Sequence, residues 1–399
     1  MRLPAFVFAG LFAACAPASA ASLADVVRNA LATYPAILLA QSSRNVAQFD
    51  TERARALHYP TVDLLGTRRL AGAARNLAQP RLRVNVWASG AIEATIEREG
   101  LREDALASRE LETREDVAFE AAYSYLRLLR GARTLEATQR NLERHEALVK
   151  DFAAIATIDV GRRYDLVQAR TRLEQVRLQI AEREAEIASA RESLARFYPT
   201  RIPLGELSLP PVLPEPAPGV APIALDSHPT VQAAQREVQV AEADTRVTRA
   251  ERMPRVDVES TVGKENATQL VVSWPAFDLG RNAAEQASQA ALVGARAKLA
   301  EQERLIEERQ RSALQDYRAA ERREAVSHGQ IGLAEELVDV YREQFRIGRR
   351  NLLDLLNAFA ELSTAEVTFE ASRVDKSLAR YRMEYALGRL AARFDRNSP

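Results

Sequence analysis

Cysteine occurs once in 399 residues, at Cys15, so neither a disulfide framework nor a thiolate metal cluster holds this chain together. Histidine occurs four times, at His58, His145, His228 and His328, with no metal-ligand spacing among them. There is no Gly-rich phosphate loop and no nucleophile elbow, and carboxylate pairs such as Glu335-Glu336 are ordinary charged helix faces. The expectation is a protein that is not an enzyme and needs no cofactor. A charge imbalance is missing as well: Lys+Arg and Asp+Glu both number 55, which leaves no basic excess for a nucleic-acid partner. Aromatic residues make up only 6%, thin for an ordinary globular core. Beyond the first twenty residues no run approaches the roughly 18 consecutive apolar residues of a membrane helix. If this chain enters a membrane, it enters as a barrel.

What is abundant is Ala, Leu, Glu, Gln and Arg, the composition of long helices and coiled coils. The start is different. MRLPAFVFAGLFAACAPASA carries Arg2, an apolar run from Leu3 to Ala14 and the small triplet Ala18-Ser19-Ala20. It has the pattern of a secretory signal peptide over residues 1–20, cleaved after Ala20, and its run is too short to span a bilayer. Lipidation at Cys15 is the alternative, but Phe12-Ala13-Ala14 makes a poor lipobox. Cleavage would remove the only cysteine.

The remainder is a duplication. Tyr34-Pro35 recurs as His228-Pro229, and Pro60 and Asp63 recur as Pro254 and Asp257, all 194 residues on. From Trp87/Trp274 to Gly161/Gly348 the offset is 187, and from Ala169/Ala358 it is 189. The second glycine turn is therefore two residues longer than the first. The first repeat covers 21–198 and the second 223–392, followed by a short tail, 393–399. Between them, residues 199–222 hold eight of the 17 prolines, a stretch that cannot be helix and has few donors for a sheet, hence an extended linker.

Each repeat has the pattern helix, strand pair, very long helix, turn, helix. Residues 23–57 are expected to be helical. Residues 91–158 hold no proline, and as one helix they would reach about 100 Å at ~1.5 Å per residue. Over 163–197 a heptad seam runs through Leu166, Ala169, Leu173, Val176, Ile180, Ile187, Ala190 and Leu194, interrupted at Arg183. The second repeat does the same over 278–346 and 350–390, with Leu352, Leu355, Phe359, Leu362 and Phe369 on one stripe. The strand pairs, about 61–89 and 255–274, alternate apolar with polar residues. Leu82, Val84, Val86 and Ala88 interleave with Arg81, Arg83, Asn85 and Trp87; Leu270, Val272 and Trp274 interleave with Gln269, Val271 and Ser273. Such alternation fits a soluble sheet with one buried face as well as a lipid-facing one. Four strands cannot close a barrel, so a membrane barrel needs at least two chains. Eight strands from two chains and twelve from three are both open.

Signal peptide, duplicated long-helix hairpins, two β-hairpins and a Pro-rich crossover together resemble the TolC-like outer-membrane efflux protein family. The more specific marks are the two x-Pro pairs, PAFDLGR at 275–281 and GRRNLLDLLNA at 348–358. The resemblance implies a mainly α fold: coiled-coil hairpins forming a periplasmic α-barrel, plus four strands per chain in a shared, homotrimeric outer-membrane β-barrel. It implies adaptor-docking tips at Gly161 and Gly348, where a left-handed or otherwise unusual residue reverses the helix. It implies that Asp354 lines the closed aperture, that Asn357 replaces what can be a second acidic ring, and that Arg350 and Asp165 make a gate-closing contact. By the same resemblance the partners are a periplasmic adaptor (a membrane fusion protein) and, through it, an inner-membrane ABC or proton-driven transporter. The shortened first turn, GRRYDLVQA, is closer to the branch serving type I secretion of large adhesins than to drug efflux. A periplasmic adaptor would instead show one hairpin between compact β domains, and a soluble coiled-coil scaffold would lack the alternating hairpins.

Overall fold

The computed structural model describes residues 22–68, 76–211, 225–262, 266–275 and 277–395. The signal-peptide expectation and the linker beyond residue 211 lie outside these. Among the described residues seven α-helices and four strands follow the repeat: α1 (Leu23–Thr33), α2 (Pro35–Ala56), β1 (Thr61–Arg68), β2 (Asn76–Trp87), α3 (Ala91–Ile158) and α4 (Arg163–Ala195), then α5 (Pro229–Ala250), β3 (Arg255–Thr261), β4 (Ala267–Ser273), α6 (Leu279–Arg346) and α7 (Leu352–Ala386).

The helix expected over 23–57 is two helices. Pro35 offers no N–H and presses Tyr34 into extended backbone (φ −71°, ψ 130°), so α1 stops and α2 restarts with proline at its first position. His228-Pro229 starts α5 in the same way. By length and composition 23–56 is a candidate for crossing a membrane, alone among the described residues. The break at Tyr34 and the complete burial of Val26, Val27 and Ala30 make it a packed pair instead.

α3 and α6 are each 68 residues long, uninterrupted as expected. They run from the sheet to the far tips. α2 and α5 flank their sheet-side halves, giving the order α2–α3–α5–α6; α4 and α7 flank the tip-side halves, giving α4–α3–α7–α6. One edge of this helical layer is therefore α6 along its whole length, and the other is α2 and then α4. The heptad seam on α4 is buried at Ala169, Leu173, Val176, Ile187, Ala190 and Leu194. Farther along, Glu366 of α7 is buried and takes both Arg144 guanidinium nitrogens of α3, at 2.9 and 2.5 Å.

The main core sits midway, where α1, α3, the end of α4 and the end of α7 meet. Tyr125, Leu129, Phe197 and Leu390 are essentially without exposure there. The described part of the linker is packed rather than free. Ile202 and Leu207 are buried, and the Tyr125 hydroxyl both donates to the Ser208 carbonyl (3.1 Å) and accepts from its N–H (3.2 Å). The segment after α7 folds back over α3, where Glu115 accepts the N–H groups of Leu390 (2.9 Å) and Ala391 (3.0 Å). Burial pushes the Glu115 carboxyl up to about 7, although both donors favour its charged form.

The four strands make one antiparallel sheet in the order β1-β2-β3-β4, so the two hairpins join through β2 and β3. β1 and β4 are its open edges.

Candidate functional site

Two places can meet something outside the chain: the sheet at one end and the two helical turns at the other.

The sheet is inside-out for a soluble protein. Direct pairing puts Val62 opposite Leu82, Val84 opposite Val258, and Val258 opposite Leu270 on one face. That apolar face is the exposed one, with Val62 71%, Leu64 77% and Leu270 64% accessible. The other face carries the ions. Arg83 Nε donates to Glu259 Oε1 at 2.7 Å, Asn85 Nδ2 to Asp257 Oδ1 at 2.8 Å, and Arg81 Nη2 to Asp63 Oδ2 at 3.2 Å. Asp257 there is only 8% accessible. Water would favour the opposite arrangement, because solvating Val and Leu while packing Arg and Asp inward gives up both hydrophobic burial and ion hydration. Of the two environments the alternation allowed, an apolar solvent outside and a polar interior fit this sheet.

Plain alternation put Trp87 with Arg83 and Asn85, and here the structure corrects it. The β2–β3 register shifts between Asn85 and Trp87, and Trp87 pairs with Val256 on the apolar face. A bulge re-aims the side chain.

The two helical turns are not copies of one geometry. Gly348 has φ +72°. Its N–H donates to Phe345 O (3.0 Å), and Arg349 N–H donates to Gln344 O (2.9 Å), a Schellman closure that requires the left-handed residue. Gly161 does not occupy that left-handed region. It sits inside a 3₁₀ turn, Val160–Arg162, and donates its N–H to Asp159 Oδ1 at 2.9 Å. The shorter loop is the reason: α4 begins at Arg163, which leaves no residues to unwind a Schellman end, so an Asx-type cap turns the chain.

At the second turn Asn351 caps α7, accepting the N–H of Asp354 at 2.9 Å. This places Asp354 in the first helical turn, where the helix dipole favours a carboxylate. Arg350 lies over the Tyr341 ring (4.3 Å to its centroid), donates to Gln344 Oε1 (3.1 Å) and pairs with Asp354 (3.5 Å). Asn357 is exposed one turn further along α7. Asp165 holds the repeat-related place, in the first turn of α4. Leu166 and Ala169 on α4 meet Leu352 and Leu356 on α7 around Phe152. Within one chain, among the described residues, no ion pair joins Arg350 to Asp165; Arg350 is engaged by Asp354.

Sequence reasoning missed the apolar tip. Ile158, Val160, Tyr164 and Ile347 are all exposed at or beside the turns. Their position next to the glycines was visible; their lack of cover within the chain was not.

Residues 220–391 match the family model described as outer membrane efflux protein. No curated protein matches the sequence. Among solved structures, the fold is similar to the outer-membrane channel OprN (21% identity, 92% of this chain and 89% of that one, TM-score 0.79). It is also similar to the Campylobacter jejuni CmeC outer membrane channel (16%, 92% and 85%, 0.79). The open state of the Neisseria gonorrhoeae MtrE outer membrane channel is a further likeness (16%, 92% and 88%, 0.76).

Proposed function

We propose that this chain, whose residues 220–391 match the outer membrane efflux protein family and 92% of which shares the fold of such channels, is an exit duct built from three copies sharing one barrel. Its place is the outer membrane, with the helices reaching into the periplasm. The observation that carries the duct reading is the inverted sheet, because a lipid-facing apolar surface around an ionic interior is a pore wall.

Assembly follows from the edges. With four alternating strands, the β1 of a second copy meets β4 antiparallel, so identical copies extend the sheet head to tail. Lipid tolerates no open edge, so the series closes into a ring. The helical layer has the same polarity. Val326 and Leu333, exposed on α6, would be covered by the next copy's α4, and Val293 by its α2, where Leu39 and Phe49 are exposed. Three copies give a twelve-stranded barrel, six helical turns at the tip and a passive tunnel between.

At that tip Asp354 lines the aperture, with Asn357 behind it in place of a second acidic ring. Arg350 and Asp165 help hold the closed state, and the Gly161 and Gly348 turns with their exposed apolar neighbours receive a periplasmic adaptor. The shortened first turn favours a type I secretion exporter upstream; the family's efflux description favours the second reading, a multidrug pump. The gate has a direct test in planar bilayers. Asp354→Ala should raise single-channel conductance severalfold by removing the carboxylates facing the aperture and freeing Arg350. An unchanged conductance in a functional channel would remove Asp354 from the aperture.

A further inference from the structure

Near the middle of α7, the α6/α7 pair presents two different faces. On one, Leu209, Pro210 and Pro211 of the linker share a cleft with Glu324 of α6 and Lys376 of α7. The other carries an open groove of about 670 Å³ between α6, α7 and Arg130 of α3. Its α7 wall includes Thr368, Ala371 and Asp375. Seven-residue steps lead from Asp354 to Thr368 and Asp375, and from Asn357 to Ala371. A helix in a coiled coil keeps such positions on one face. The groove therefore opens on the side that carries Asp354, which is the tunnel side in the duct reading.

Its charge is of one sign. Arg130, Arg322 and Arg323 line it with a single carboxylate, Asp375, which Arg130 already engages at 3.4 Å. Arg322 and Arg323 are exposed and, among the described residues, form no ion pair within the chain. The floor is apolar: Ala319 of α6 and Val367 and Ala371 of α7 present methyl groups. Its two serines, Ser327 and Ser372, are buried and hydrogen-bond each other at 2.9 Å. Glu361, the nearest other acid on the Asp354 stripe, lies seven residues from Thr368, about 10 Å along the helix. That exceeds the ~8 Å Debye length at physiological salt, and Asp354 is twice as far, so the aperture carboxylates do not cancel the arginines.

Guanidinium groups hold carboxylates and sulfonates through paired N–H donors, and a concave wall of one sign concentrates counter-ions. A small inorganic anion would engage the arginines and leave the floor wet. An organic cation would cover the floor and be repelled by the arginines. The volume falls within the ~300–1,000 Å³ of small-molecule sites. We infer that this groove is a transit site for small amphipathic organic anions, an aromatic or acyl body bearing one carboxylate or sulfonate, on their way to the exit. It rests on the duct reading and adds the class of cargo that the wall prefers. So open a groove holds its ligand weakly, as passage requires.

Two probes of matched shape and opposite charge test it. Full-length protein in dodecyl maltoside is titrated with para-fluorobenzenesulfonate and with para-fluorobenzyltrimethylammonium, and binding is read from the broadening of their fluorine NMR lines. The same preparation is reconstituted in planar bilayers, and each probe is added on the tip side. The sulfonate should bind about fivefold more tightly than the ammonium, and it should reduce the single-channel current. In the double variant Arg322→Gln/Arg323→Gln that preference should disappear. Equal binding of the two probes, or a preference untouched in the variant, would overturn the anion site, while a steady current would leave the duct standing. Preferential binding with no effect on the current would put the groove outside the tunnel and overturn its role in transit. Preferential binding by protein that never conducts would overturn the duct and leave a binding site.

Discussion

Gly388→Ala is expected to destabilise each chain by about 3 kcal/mol or more, combining backbone strain with a clash that cannot relax. Gly388 ends α7 with φ +64° in a Schellman closure: its N–H donates to Tyr385 O at 2.9 Å, and Arg389 N–H donates to Glu384 O at 3.1 Å. A Cβ there would stand 2.5 Å from Pro229 Cδ and 3.1 and 3.3 Å from His228 ring atoms. Neither neighbour can yield. Pro229 is the first residue of α5, and His228 is buried, its Nδ1 accepting the Thr230 N–H at 3.2 Å. Burial, aided by Arg309, pulls that imidazole down to about 4, so it is neutral at ordinary pH. Gly348→Ala is the internal control. Its φ is +72° but nothing lies within 4 Å of the added carbon, so only the left-handed penalty of roughly 1–2 kcal/mol applies. Thermal unfolding followed by circular dichroism should place G388A well below G348A. Equal shifts would mean that the junction between the start of the second repeat and the segment after α7 is looser than described.

The second large effect belongs to the sheet. Leu64, 77% exposed and paired with Pro80, lies well up β1 from the end of the sheet that joins the helices. Leu64→Arg should cost about 2–4 kcal/mol per chain if that face meets the bilayer middle. On a solvated face an exposed substitution like this falls within about 0.5 kcal/mol. Thr61→Arg, on the opposite face at the start of the same strand, should stay within about that smaller range. The readout is the fraction of protein recovered inserted in outer membranes. Equal recovery of the two variants would contradict a lipid-facing Leu64.

Much of this fold was legible because it is local. The proline-free run 91–158 is a single helix to the residue, since nothing in it competes with helical spacing. Asp354 could be placed in a helix's first turn from GRRNLLDLLNA alone. The rest depends on contacts between distant residues. Trp87 changes face through the register of β2 on β3, about 170 residues away in the chain, which alternation within one strand cannot report. Gly161 looks like Gly348 in sequence and differs in φ, because two missing residues exchange a Schellman end for an Asp159 cap. Arg350, in the turn before α7, pairs with Asp354 of that helix and lies over Tyr341 of α6, neighbours that the resemblance linking it to Asp165 does not name. The carboxylate that ties Leu390 and Ala391 down, Glu115, was invisible among dozens of similar charged helix residues.

The central claim is that no single chain closes the barrel. Protein extracted from membranes in mild detergent, with its mass measured by light scattering and the bound detergent subtracted, tests it most directly. The expected mass is that of three chains, unchanged on dilution. A monomer, stable in water without detergent, would contradict it and would leave the exposed Val62, Leu64 and Leu270 without the lipid that explains them.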